Sequence, residues 1–237
     1  MKGILLAGGK GSRLLPATKV VNKHMIPILN KPMIMYPLET LKSLGITDIM
    51  IISGGEHIGG IADFLGDGSE LGVNLTYRIQ REASGIAQAL SLAEAFVGDE
   101  QFAVILGDNI FDNNIAIPIP QKCGIVLKHV DDPRRFGVLT VNNMTGVKKI
   151  IEKPKEIPAS DVPPMAVIGL YFYTSEVFDF IRTLEPSERG ELEITDVNNY
   201  CLATLPTDII TYEGYWSDAG TVDSLKDVTD WAYENGK

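Results

Sequence analysis

Close to its start the chain reads Gly8-Gly9-Lys10-Gly11-Ser12-Arg13-Leu14, directly after the apolar stretch Gly3-Ile4-Leu5-Leu6-Ala7. Glycines let a backbone pass close to an anion, and successive N–H groups can then form an anion-binding nest. A plain tight turn would use the same residues. The neighbouring cations favour the nest: Arg13, Lys19, Lys23 and Lys31 are interleaved with Pro16, Pro27 and Pro32, although the chain as a whole has a formal charge of −10. An acidic protein that concentrates cations beside its glycines is suited to a polyphosphate. Spacing excludes two familiar nucleotide loops. Leu14 stands where Gly-x-Gly-x-x-Gly, counted from Gly9, needs its last glycine, and Lys10 is followed by Gly11 rather than by Ser or Thr.

Other residues are chemically suggestive without deciding anything alone. Asp108 comes after the apolar run Phe102–Leu106, and Asp218 lies between Trp216-Ser217 and Ala219-Gly220. Hard carboxylate oxygens suit Mg2+, but Gly-Asp-Asn is also a common turn. Gln80 follows an expected strand and by itself reads as a surface residue at a strand end. Glu152-Lys153 by itself reads as an ordinary solvated charge pair.

The elements that must position these groups alternate as in an α/β sheet. Strands are expected at Lys2–Ala7, Asp48–Ser53, Val73–Ile79 and Phe102–Leu106, the last delivering Gly107-Asp108-Asn109 to the strand ends. Helices are expected at Met33–Leu44, ending at Gly45, at His57–Leu65, and at Gly85–Val97 with Ile86, Ala89, Leu90 and Ala93 on one face. Pro37 predicts a kink or a late start in the first of these. Further along, Gly124–Val130, Gly137–Val141, Val147–Glu152, Met165–Tyr173 and Asp208–Tyr212 read as strands. The second and third of these form a hairpin around Asn142-Asn143-Met144-Thr145-Gly146. Ser175–Leu184, Ile194–Ala203 and Val222–Tyr233 read as helices, and Ile157–Pro164, with three prolines, as a mobile loop. One domain, 1–237, is expected, in two halves, 1–122 and 123–237.

Composition excludes whole classes of function. With 237 residues, 45% of them apolar and 22% charged, the chain has material for a real core, so disorder, collagen and disulfide scaffolds are ruled out. The charge of −10 argues against general nucleic-acid binding, which needs a basic face. Cys123 and Cys201 stand in no metal-like or redox spacing, and His24, His57 and His129 form no cluster, so reduced thiols and ordinary histidines are expected. The N-terminal apolar stretch is too short for a signal peptide and no run approaches 18 apolar residues, which predicts a soluble cytoplasmic protein without a membrane partner. A homo-oligomer stays open.

Taken together, Gly8–Leu14, Lys23, Pro27 and Lys31-Pro32-Met33 resemble the signature of sugar-1-phosphate nucleotidylyltransferases, and the resemblance runs nearly end to end. Later blocks match in order: Gln80 with Gly85-Ile86-Ala87-Gln88-Ala89, Leu106–Asn109, Phe136-Gly137-Val138, Glu152-Lys153-Pro154, Gly190–Asp196 and Trp216–Thr221. Arg189–Asp196 and Gly107-Asp108-Asn109-Ile110-Phe111 look most like glucose-1-phosphate thymidylyltransferases. The resemblance implies an α/β fold with a Rossmann-like three-layer mixed sheet of the nucleotide-diphospho-sugar transferase type. It also implies condensation of dTTP with glucose 1-phosphate to dTDP-glucose, releasing pyrophosphate, with residues 1–122 mainly binding nucleotide and 123–237 mainly binding sugar phosphate; a UTP-using or other sugar-1-phosphate nucleotidylyltransferase is the alternative. Carried over residue by residue, it gives Arg13, Lys23 and Asp108 catalytic roles. Leu6, Gly8, Gly9, Gly11, Ser12, Arg13, Gln80, Gly85 and Asp108 fall on nucleotide-binding positions. Gly137, Glu152, Lys153, Val167, Tyr171 and Arg189 fall on sugar-phosphate positions, and Asp108 with Asp218 would hold Mg2+. The family usually has proline three residues after the glutamine, where this chain reads Gln80-Arg81-Glu82-Ala83; the shape of the base pocket, and with it dTTP over UTP, is left open.

Two other classes compete. A non-catalytic nucleotide-sugar sensor on the same fold should have lost Arg13, Lys23, Asp108 or Asp218, and all four are present. A dinucleotide oxidoreductase is disfavoured by the broken glycine fingerprint and by the second strand's ending, Ile52-Ser53-Gly54, which has no acidic residue. The chain stops soon after its closing helix, whereas longer relatives carry further C-terminal helices linked to a regulatory nucleotide site, so regulation of that form is not expected.

Overall fold

The computed structural model describes residues 1–112, 115–142, 145–156 and 164–236. The expected proline-rich loop at 157–164 and the centre of the expected hairpin turn, residues 143–144, lie outside them, apart from Pro164. In chain order the strands are β1 (Lys2–Leu6), β2 (Pro27–Ile28), β3 (Lys31–Pro32), β4 (Asp48–Gly54), β5 (Asn74–Gln80), β6 (Phe102–Leu106) and β7 (Asn109–Phe111). They continue with β8 (Cys123–His129), β9 (Gly137–Val141), β10 (Lys148–Glu152), β11 (Met165–Tyr173), β12 (Thr207–Thr211) and β13 (Trp216–Asp218). The helices are α1 (Met35–Ser43), α2 (Ile58–Leu65), α3 (Ile86–Ser91), α4 (Glu94–Val97), α5 (Glu176–Ile181), α6 (Ile194–Thr204) and α7 (Val222–Glu234).

The chain divides into two units that interleave in sequence: Met1–Ala83 with Ala103–Ala116 and Gly214–Lys237, and Ser84–Phe102 with Ile117–Glu213. The expected halves, 1–122 and 123–237, do not share these boundaries, because the C-terminal segment returns to the first unit, where β13 pairs antiparallel with β7.

In the first unit the strand order is β6-β1-β4-β5, with β1–β4 and β4–β5 parallel. Ile4, Leu5, Ile49, Ile51, Val104 and Ile105 are fully buried. Strands covered on both faces read as continuous apolar runs, which is why this part was legible from sequence. Helix α1 starts late, at Met35, and so places Pro37 in the first turn, where its missing N–H costs nothing. Gly45 comes just after it at φ 77°. The C-terminal helix α7 buries Val228 and Ala232 in a cluster with Ile28, Met33, Tyr36, Ile110 and Ala219.

The second unit holds the order β10-β9-β11-β8-β12, antiparallel except for β12 on β8. The single helix expected at Gly85–Val97 is two pieces. Leu92 and Ala93 donate to Ala89 and Leu90, three residues back, so the turn tightens between α3 and α4. The register of β11 against β8 shifts between Val167 and Tyr171, around Gly169 at φ 64°, a bulge that re-aims the strand.

Candidate active site

In the first unit the glycine loop is moulded onto a cation-bearing segment. Gly11 sits at φ 61°, and a Cβ there would lie 2.8 Å from Thr18 Cγ2 and 3.1 Å from Lys23 Cβ. The Thr18 hydroxyl donates to the Gly11 carbonyl at 2.8 Å, which ties the loop to the turn Ala17–Lys19. Leu14 is buried as the anchor of the turn Ser12–Leu14, and Ser12 and Arg13 stay exposed. Leu6 is buried at the end of β1, and Gly8 packs so closely on Gln80 that a Cβ would stand 2.8 Å from Oε1. A cavity of about 160 Å³ is lined by Ala7, Gly9, Lys10, Gln80, Ala83 and the turn at 54–57.

Asp108 is held from several sides. Its Oδ2 accepts from Lys23 Nζ at 2.5 Å, with both side chains 14% exposed. Its Oδ1 accepts from Asn109 Nδ2 at 3.0 Å, and Asn109 Oδ1 accepts from Trp216 Nε1 at 2.8 Å. Burial opposes charge on Asp108, but the adjacent Lys23 ammonium and its hydrogen bond prevail and hold the carboxyl well below the usual carboxylate range. His24 is driven the other way: burial first, then the charge of Lys23, pushes its pKa down to about 3. Neutral His24 therefore donates through Nδ1 to Asn22 Oδ1 at 2.8 Å, while its own backbone N–H donates to the same oxygen. The ring lies against Gly107, where a Cβ would be 2.7 Å from His24 Cδ2.

The pairing of β13 with β7 explains how residues 110 positions apart come together: Asp218 is in register with Asn109, and the Ala219 N–H donates to the Asp108 carbonyl at 2.8 Å. Arg13 joins them, for a Cβ on Gly220 would lie 2.8 Å from Arg13 Nη2 and 3.5 Å from Asp108 Oδ2. Two carboxylates at neighbouring strand ends fit Mg2+, which takes one or two carboxylates and fills its remaining positions with water and phosphate oxygens. Among the described residues no group of three or more His, Cys, Asp or Glu side chains offers an all-protein cage.

In the second unit most of the expected sugar-phosphate residues converge on Glu152. Gly137 is its register partner, and a Cβ there would lie 3.5 Å from both Glu152 Oε2 and Val167 Cγ2. Lys153 Nζ is 3.0 Å from Glu152 Oε1, and Arg189 Nη2 is 3.6 Å from the same oxygen. Lys153 adopts φ 41°, left-handed backbone that costs a non-glycine residue of order 1–3 kcal/mol and marks sites where geometry is imposed. Tyr171 is buried on β11 and stacks on Tyr173 with ring centroids 5.9 Å apart. Gly85 faces Leu192: a Cβ would stand 2.4 Å from the Leu192 carbonyl oxygen, whose residue also bonds Ser84 and Ala87 through its backbone.

Sequence reasoning missed several partners. Glu193 accepts from Arg189 Nε at 3.1 Å and Nη2 at 2.7 Å, and from the Ser187 hydroxyl at 2.7 Å. Thr195 donates to Glu152 Oε2 at 2.6 Å. Asn109, Trp216 and His24 were likewise given no role. Thr195 and Glu193 lie in a matched block, which was the available signal; nothing local pointed to Asn22 or Thr18.

The nucleotidyl transferase family profile matches residues 2–234. The chain belongs to the nucleotidyl transferase family. It is 40% identical to the low-salt glycan biosynthesis nucleotidyltransferase Agl11 of Haloferax volcanii, over 99% of this chain and 67% of that one. It is also 40% identical to the glucose-1-phosphate thymidylyltransferase of Neisseria meningitidis, over 96% and 81%. A solved Bacillus anthracis structure, assigned as a glucose-1-phosphate thymidylyltransferase and complexed with a sucrose, matches with TM-score 0.87 and 48% identity, over 98% and 95% of the two chains. This nucleotidyl transferase is therefore a mixed α/β enzyme of the sugar-1-phosphate nucleotidyltransferase type, whose substrates are a nucleoside triphosphate and a sugar phosphate. No helix among the described residues is long and apolar enough to cross a membrane.

Proposed function

We propose that the enzyme condenses dTTP with glucose 1-phosphate to give dTDP-glucose and pyrophosphate. The observation that carries this is the convergence of Arg13, Lys23 and Asp108 beside a glycine loop whose backbone is fixed by Thr18. The sugar phosphate is already an anionic nucleophile, so the protein's task is to align it with the α-phosphate and to offset growing charge. Neutral His24, locked onto Asn22, fits a reaction that needs no general base.

The glycine loop and Arg13 hold the triphosphate. Lys23 has three N–H donors and uses one on Asp108, leaving two for phosphate oxygens. Asp108 and Asp218 would hold Mg2+, which supplies charge neutralisation and Lewis-acid polarisation of phosphate oxygens. Gln80 contacts the base, with the cavity beside it as the seat. Glu152 grips sugar hydroxyls while Lys153 and Arg189 balance the phosphate, with Gly137, Val167 and Tyr171 shaping that surface. Nearly full-length relatives with thymidylyltransferase names support dTTP and glucose. Ala83 in place of the usual proline, at the edge of the base cavity, keeps a UTP-using enzyme as the second reading.

A pyrophosphate-release assay of four or five triphosphates against several hexose 1-phosphates tests both. Expected is highest kcat/KM for dTTP with glucose 1-phosphate and a weaker but measurable rate with UTP, since one methyl group contributes only about 1–3 kcal/mol of selectivity. UTP ahead of dTTP would replace the first reading with the second; no turnover with any pair would leave a sensor.

A further inference from the structure

Resting on that reading of the sugar-phosphate residues, we propose that Asn199 is a positioning residue for Glu152, acting through the backbone of β10. Asn199 Oδ1 accepts from the Ile150 N–H at 2.7 Å, and Asn199 Nδ2 donates to the Ile150 carbonyl at 2.9 Å. Both outward-facing backbone groups of one residue are thus satisfied by a single side chain. Strand β10 ends the strand order of its unit, so these groups have no neighbouring strand in that order to meet. A primary amide presents one donor and one acceptor side by side, which is what an adjoining strand would have offered.

The spacing makes this a rack rather than a single contact. Thr195 and Asn199 are four residues apart on α6, about 6 Å along a helix and on one face. Ile150 and Glu152 are two apart on β10, about 6.8 Å along a strand and on one side. Helix and strand repeats therefore coincide, with Thr195 on the Glu152 carboxylate and Asn199 on the Ile150 backbone. The strand needs that hold where it ends, because Lys153, the next residue, turns to φ 41°. Asparagine is a mediocre helix former, so its place inside α6 is accounted for by the clamp rather than by propensity.

Asn199→Ala and Asn199→Asp in the full chain test the proposal, with hydrogen exchange at 149–152 and steady-state kinetics as readouts. Asn199→Ala should exchange the Ile150 amide at least tenfold faster. It should raise KM for the sugar 1-phosphate about tenfold and leave KM for the triphosphate within twofold. An ionised Asp faces the Ile150 carbonyl with an acceptor, whereas a protonated one restores donor and acceptor. The KM ratio of Asn199→Asp to the parent should therefore fall as the pH is lowered from 8 to 5.5, while that of Asn199→Ala stays level. Unchanged exchange at Ile150, or both KM values rising together, or neither rising in a parent that turns over, overturns the proposal alone. A parent inactive on every pair overturns the functional reading, and this proposal with it.

Discussion

Replacing Lys23 with Met removes the partner of a buried carboxylate and keeps the length and packing of the stem that lines Gly9 and Gly11. Lys23 and Asp108 are 2.5 Å apart and each is 14% exposed. Breaking a buried pair from one side costs about 3–5 kcal/mol, because the remaining charge stays desolvated. Residual exposure and the Asn109 hydrogen bond place this one near the lower end, about 3 kcal/mol. For a chain of this length that corresponds to a fall in Tm of roughly 6–12 °C.

The pH dependence comes from the sign of the shift. In the parent, Asp108 is depressed below its unfolded value of about 3.9, so its stabilisation is fully present above that pH and is lost only as pH falls through the depressed value. In Lys23→Met burial, the largest influence on Asp108, outweighs the smaller opposing effects of His24 and the Asn109 hydrogen bond and raises the folded-state pKa above the unfolded one. The carboxylate then destabilises at neutral pH, and protonation relieves the cost as pH falls. The Tm gap between parent and variant should be widest at pH 7–8 and should narrow toward pH 4.5, in melts monitored by circular dichroism. Adding Asp108→Asn to the variant should recover most of the lost stability, as a coupled pair requires. A gap below about 2 °C, or one that does not change with pH, would refute the reasoning, since each extra kcal/mol moves such a chain by roughly 2–4 °C.

Arg13→Ala should lower turnover by roughly 10²–10³, the scale of one lost charge-stabilising donor, with little change in Tm because Arg13 is exposed; a near-normal rate would make it a surface residue. Gly85→Ala places a Cβ 2.4 Å from the Leu192 carbonyl at φ 105°, where neither backbone can yield cheaply. Thermal melts should show a loss of about 2–4 kcal/mol, of the size expected for strain at a special φ, and a loss under 1 kcal/mol would show that the loop adapts. Asp108→Asn and Asp218→Asn should each require far more Mg2+ for half-maximal rate, and the double variant should be little worse than the poorer single one. Titrations matching the parent for both would return these aspartates to ordinary turns.

What the sequence displayed was local order. β6 and β11 are runs of consecutive apolar residues, β1 is one after Lys2, and β6, β9 and β11 begin and end where the pattern predicts. The glycine loop announced itself because glycine and cation density are readable along the chain. The pairing of β7 with β13 was not readable: each strand has three residues, too few to show a period, and their register depends on a return of the chain over 107 positions. That pairing is nevertheless what sets Asp218 beside Asn109 and seats Arg13 against Gly220. The same holds for the supports of Glu152. Thr195 and Asn199 look like indifferent polar residues in a helix, and their meaning appears only once β10 is known to run past them. Composition and spacing mark the cations beside the glycine loop, and the resemblance adds Asp108, Glu152, Lys153 and Arg189, whose charge makes their chemistry intrinsic to the side chain. The neutral groups that aim them have no such signature: an amide or hydroxyl does the same chemistry at any position, and only its partner gives it a role. Omissions in a reading from sequence should therefore concentrate among Asn, Thr and Ser next to the named charges, as they do here at Asn22, Asn109, Ser187, Thr195 and Asn199.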